Sequence, residues 1–128
     1  MIHLRRLSLV LAMATLTSVA GCGHFMHNGS DEPAAQVIFV NQSLDQADVY
    51  VVSDAGDSQR IGTVFAGRTE TLTIPNSVLA RGGTVNIAAR ILARSIAPRT
   101  GPLTLSGGEQ LQITLPSDER TLTVLPAP

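Results

Sequence analysis

The chain has 128 residues, 44% hydrophobic, 3% aromatic and 15% charged, with a formal net charge of −1. That length holds one small domain beyond a leader, and the scarcity of rings leaves Val, Leu, Ile and Ala to build the core. Nine basic residues, all arginine, against ten acidic ones leave no electrostatic footprint for nucleic acid, and a single cysteine excludes an internal disulfide.

The N-terminus opens with Arg5 and Arg6, then an apolar run over 7–19 broken only by Ser8, Thr15, Thr17 and Ser18. A run of about 13 residues is short of the ~20 that span a bilayer. Positive charge, a short apolar core and then small residues is the layout of a secretory signal peptide, expected over 1–21. The run closes on Val19-Ala20-Gly21-Cys22.

These four residues resemble the lipobox of bacterial lipoproteins, a likeness that covers the leader alone. It implies that the Cys22 sulfur takes a diacylglyceryl group, that the Gly21–Cys22 bond is cut, and that the freed amine is open to acylation. The thiol suits that role because sulfur is a far stronger nucleophile than a hydroxyl at neutral pH. Acyl chains on Cys22 would hold the protein on a membrane of the cell envelope, and two or more make release slow. In the lipoproteins it resembles, an aspartate after the cysteine retains the protein at the inner membrane. Gly23 stands there instead, which points to the periplasmic face of the outer membrane.

Residues 22–35 read as a lipidated cysteine followed by a polar tether with Asn28-Gly29-Ser30 and Pro33. His24 and His27 lie in it near Asp31 and Glu32. Two ligands on flexible chain do not make a preorganised shell, so neither a metal nor another cofactor is expected.

From residue 36 to 128, short apolar runs alternate with turn residues at the spacing of an all-β domain. Strands are expected at 36–41, with apolar residues on both faces, and at 48–53, followed by the turn Asp54-Ala55-Gly56-Asp57. Further strands are expected at 59–65 and 68–74, the latter with Leu72 and Ile74 inward and Thr69, Thr71 and Thr73 outward. Pro75-Asn76-Ser77 opens a single helical turn that stops at Gly82-Gly83. Residues 84–95 fit a strand, with Val85, Ile87, Ala89, Ile91 and Ala93 on one face, although their alanines also suit a helix. A short strand at Leu103 and Leu105, one at 109–115 and a last one carrying Leu122 and Val124 complete the series, with Pro126 ending the pairing. The expected fold is a small antiparallel β-sandwich of about seven to eight strands. Its rhythm resembles the small immunoglobulin-like domains of bacterial lipoproteins, without the cysteine and tryptophan markers of immunoglobulins.

Residues 36–128 contain no His, Cys or Lys. That removes a Ser-His-Asp triad, a Cys-His pair, a Schiff-base lysine and the common zinc sites. Gly82-Gly83 and Gly107-Gly108 lack the spacing of a phosphate loop. The remaining candidates are Asp45, Asp48, Asp54 and Asp57, which would hold calcium or pair as acid and base, and Arg90 with Arg94, which on one strand face would meet an anionic glycan. Asn41-Gln42-Ser43 matches a glycosylation pattern that a bacterial leader leaves unused. The leading expectation is a non-enzymatic, lipid-anchored envelope protein with an interaction or structural module that binds another envelope protein. A ligand-binding module for calcium or an anionic glycan comes second, and a carboxylate hydrolase third.

Overall fold

The computed structural model describes residues 33–82 and 84–128. The leader, Gly21, Cys22, His24, His27 and Gly83 lie outside the described residues. Two sheets are formed by seven strands. One sheet has the order β4-β1-β6-β7, from β4 (Thr69–Ile74), β1 (Ala35–Asn41), β6 (Gln110–Leu115) and β7 (Thr123–Pro126). The other has the order β3-β2-β5, from β3 (Ser58–Val64), β2 (Ala47–Ser53) and β5 (Val85–Ile91). A four-residue helix, α1 (Asn76–Leu79), follows β4, and the chain leaves it through Gly82 at φ 70. Only a residue without Cβ adopts that backbone cheaply.

Alternation builds the core. Val37 and Phe39 of β1, Leu72 and Ile74 of β4, and Ile113 and Leu115 of β6 point inward from one sheet. Val49 and Val51 of β2, Val64 of β3, and Ile87, Ala89 and Ile91 of β5 meet them from the other. The result is a β-sandwich-like domain whose apolar core is aliphatic apart from Phe39.

Several expectations need correction. The sandwich is not purely antiparallel: β1 and β6 pair in parallel, Gln36 opposite Gln110 through Asn41 opposite Leu115. The fifth strand stops at Ile91 rather than continuing to 95, because Leu92-Ala93 turns the chain and the Arg94 N–H donates to the Ile91 carbonyl at 3.2 Å. Leu103 and Leu105 form no strand. Instead Pro98, Thr100 and Leu103 cap the free edge of β5: Ala89 N–H donates to the Pro98 carbonyl at 3.0 Å, Ile87 N–H to Thr100 Oγ1 at 3.0 Å, and Val85 N–H to the Leu103 carbonyl at 2.9 Å. Prolines at 98 and 102 prevent a regular ladder there while still covering an edge that would otherwise stay unpaired. Pro126 closes the pairing as expected: it occupies the last register position of β7, opposite Leu111, on an edge strand where a missing donor is tolerated. Finally, Ala35 belongs to β1 rather than to the preceding segment; it is fully buried opposite Ile74.

The first strand is more exposed than expected on its outer face. Val37 and Phe39 are buried, but Ile38 and Val40 are half-buried, since no layer among the described residues covers that side.

Candidate functional site

The registers place each strand terminus at one end of the sandwich or the other. Asn41, Ala47, Val64, Thr69, Ile91, Leu115 and Thr123 lie at one end, the distal end, which carries the β1–β2 connection, the β3–β4 turn, the exit from β5 and the β6–β7 turn. Ala35 and Pro126 lie at the opposite end, the entry end, with the β2–β3 turn and α1.

The four aspartates are therefore not one cluster. A seven-residue strand is roughly 20 Å long, and β2 runs between the two pairs. At the entry end, Asp54 accepts from the Thr84 hydroxyl at 2.7 Å and from the Thr84 N–H at 2.9 Å. These bonds, the hydroxyl's first, hold its carboxyl below the ordinary aspartate value. Asp57 pairs with Arg81 at 2.9 Å. Towards the distal end, Asp48 accepts from the Thr63 hydroxyl at 2.6 Å and faces Arg60 at 3.6 Å. Asp45 pairs with Arg94 at 3.2 Å. Each carboxylate thus has a partner within the fold, and among the described residues no group of three or more His, Cys, Asp or Glu is placed to hold a metal ion.

Arg90 and Arg94 do not share a strand face. Arg90 stands on the outer face of β5 opposite Asp48, while Arg94 lies beyond the turn at Leu92-Ala93. There it links three distal connections: its Nε donates to Glu119 Oε2 at 2.7 Å and its terminal nitrogen meets Asp45. Glu119, then Asp45, raises the Arg94 guanidinium above its ordinary value. Glu119 carries no local sequence signal, because its role depends on a partner 25 positions away.

Asn41 is a second residue that local reading misses. It is 1% exposed at the end of β1. Its Nδ2 donates to the Asp45 carbonyl at 2.8 Å and the Val64 carbonyl at 3.0 Å, and its Oδ1 accepts from the Ser43 N–H and hydroxyl at 2.9 and 2.7 Å. One side chain therefore shapes the β1–β2 connection and fastens it to β3.

This bracing supports an apolar rim. Leu44, Phe65, Leu92 and Ile96 are four of the five exposed large hydrophobic side chains among the described residues, and all four lie on distal connections. Leu44 is 90% exposed. Leu92 is held against the β1–β2 connection by its N–H, which donates to the Gln46 carbonyl at 2.9 Å.

The outer face of the β3-β2-β5 sheet carries a separate constellation. Tyr50 on β2 lies directly between Arg60 on β3 and Ala88 on β5, and Arg99 bridges to Ala88 from the edge-capping segment. A shallow depression of about 230 Å³ includes Tyr50, Val52, Ala88, Arg90, Ala97 and Arg99 in its lining. No protein-family profile matches the chain, and no curated protein is found to match it.

Proposed function

We propose that this protein is a lipid-anchored lipoprotein of the bacterial cell envelope, with a non-catalytic, immunoglobulin-like β-domain that binds another envelope protein through its distal rim. The observation that carries the reading is the run Val19-Ala20-Gly21-Cys22 behind Arg5, Arg6 and a short apolar core. The absence of His, Cys and Lys from residues 36–128 supports a binding rather than a catalytic role. Two sheets of short strands support the immunoglobulin-like kinship.

The rim supports a protein partner over the anchoring bilayer. The chain enters the domain at Ala35, at the end opposite Leu44, Phe65, Leu92 and Ile96. An anchor at Cys22 would thus leave these side chains roughly 20 Å further out, the length of the strands. Apolar tips at the far end of a tethered domain suit a partner with an apolar surface of its own, since desolvated aromatic and aliphatic anchors dominate protein contacts.

Two experiments test the reading. Cys22→Ser is expected to abolish acyl labelling and leave the precursor uncleaved; normal membrane retention of that variant would overturn the anchor. A photo-crosslinker at position 44 is expected to trap a defined envelope protein, with the adduct lost when Phe65 and Leu92 are both changed to Ser. Crosslinks to lipid alone, or an adduct indifferent to those substitutions, would overturn the partner.

A further inference from the structure

We propose that the outer face of the β3-β2-β5 sheet is a binding site for a saccharide bearing a phosphate or carboxylate, with the sugar ring against Tyr50 and the anion held by Arg90 and Arg99. The site is on a sheet face rather than on the distal rim, so it stands whether or not a protein partner exists.

The register makes the site. Residues opposite one another on neighbouring strands project from the same face. Arg60, Tyr50, Ala88 and Arg99 therefore form one row across the sheet. Neighbouring strands are about 4.8 Å apart, which puts the backbones of Arg60 and Arg99 about 14 Å apart. Arg90 follows Ala88 by two residues on the same face, about 7 Å along β5. Arg90 and Arg99 thus line a trough floored by Tyr50, Val52, Ala88 and Ala97.

Charge and shape narrow the ligand. Asp48 is the one carboxylate among the strand positions of this face, and it is already engaged by Thr63 and Arg60. Neither Arg90 nor Arg99 has a carboxylate partner among the described residues. Arginine grips phosphate and carboxylate in a two-pronged fork. Tyrosine offers a flat apolar body with a polar tip. The small side chains of Ala88 and Ala97 leave the space beside it open. One aromatic platform in one short trough fits a single ring, whereas a nucleic-acid strand needs successive stacking positions.

Tyr50 is the only tyrosine and the chain has no tryptophan, so intrinsic fluorescence reports on this face alone. The full chain, reconstituted in phosphatidylcholine vesicles, is titrated with glucose 1-phosphate, glucuronate and uncharged glucose. Both anions are expected to change the Tyr50 emission, glucose is not, and added salt should weaken the response. Arg90→Gln with Arg99→Gln is expected to weaken anion binding at least tenfold. A second set of vesicles contains a phosphorylated glycolipid. A response to the free sugars assigns a soluble ligand; a response confined to the glycolipid vesicles and lost in the double variant assigns a lipid headgroup. Equal binding of glucose, unchanged binding by the double variant, or no response in any arm would overturn the site. If the double variant does not fold, the arginine Nε–H resonances of the unaltered chain decide: two of them move on titration if the site is correct, and none moves if it is not.

Discussion

Arg94 and Glu119 join two turns that each contain a strained backbone position. Arg94 Nε donates to Glu119 Oε2 at 2.7 Å, Ala93 immediately before the arginine has φ 59, and Glu119 itself has φ 59. These are the two non-glycine residues with positive φ among the described residues. Each such position costs about 1–2 kcal/mol for a residue with a Cβ. Both meet at the ion pair that ties the exit of β5 to the β6–β7 turn, so the geometry of the distal rim is held against local preference.

Ala93→Gly should therefore stabilise the fold. Removing the Cβ relieves the left-handed strain, and the greater freedom of glycine in the unfolded chain offsets part of that gain. The expected net increase is about 0.5–1 kcal/mol, read from urea unfolding. A clear loss of stability would show that the Ala93 backbone is not strained.

Arg94→Gln should loosen the rim without unfolding the domain. The ion pairs it removes are partly exposed, so salt screens them. Amide exchange at Leu92, whose N–H bonds the Gln46 carbonyl, is expected to accelerate in the variant. High salt should bring the original chain towards the same rate. Equal exchange at low salt would remove the bracing role of Arg94.

Asp54 sets an acid limb at the other end. The Thr84 hydroxyl and then the Thr84 N–H hold its carboxyl below the ordinary 3.8. A carboxylate depressed on folding binds fewer protons in the folded chain, so its contribution is complete above the unfolded value and fades as pH falls through the lowered folded one. The melting-temperature advantage over Asp54→Asn should be full at neutral pH and shrink below 3.8. A difference independent of pH would mean that the carboxylate charge plays no part.

Asn41→Ala should be costly for a polar substitution. It strands the buried Val64 carbonyl and the Ser43 N–H, which the amide now serves. An unpaired buried group costs roughly 1–3 kcal/mol, so a total of about 2–6 kcal/mol is expected from chemical denaturation. A loss well below 1 kcal/mol would indicate that water replaces the amide.

Gly62→Ala tests the closure between β3 and β4. A Cβ at Gly62 would lie 2.5 Å from Leu72 Cδ2, and Leu72 is buried. Overpacking of this kind costs about 1–3 kcal/mol. Adding Leu72→Val should recover part of the loss; independent, additive losses would contradict the contact.

The strands legible in the sequence were those that stand as short apolar or alternating runs between turn residues. β1, β2, β3, β4 and β6 fall within a residue or two of their expected bounds, and Leu72, Ile74, Ile113 and Leu115 point inward as their spacing requires. The turn at Gly82 was legible for a similar reason, because its backbone demands glycine. The parallel pairing of β1 with β6 was not, because alternation states which face a residue takes and nothing about the neighbouring strand. Nor was the edge cap at 98–103, whose hydrogen bonds go to β5 in an irregular pattern.

The candidate residues divide along the same line. By itself the sequence determined an aliphatic all-β domain, the residue types for anion contact and the lipobox-like run at Cys22, since composition, period and short spacings are local properties. Only the tertiary structure decided that β2 separates Asp45 from Asp57, that Arg94 leaves the strand face for Glu119, and that Arg99 joins Arg90 beside Tyr50. Those groupings follow from strand order and register, which arise when distant segments bury their apolar faces against each other.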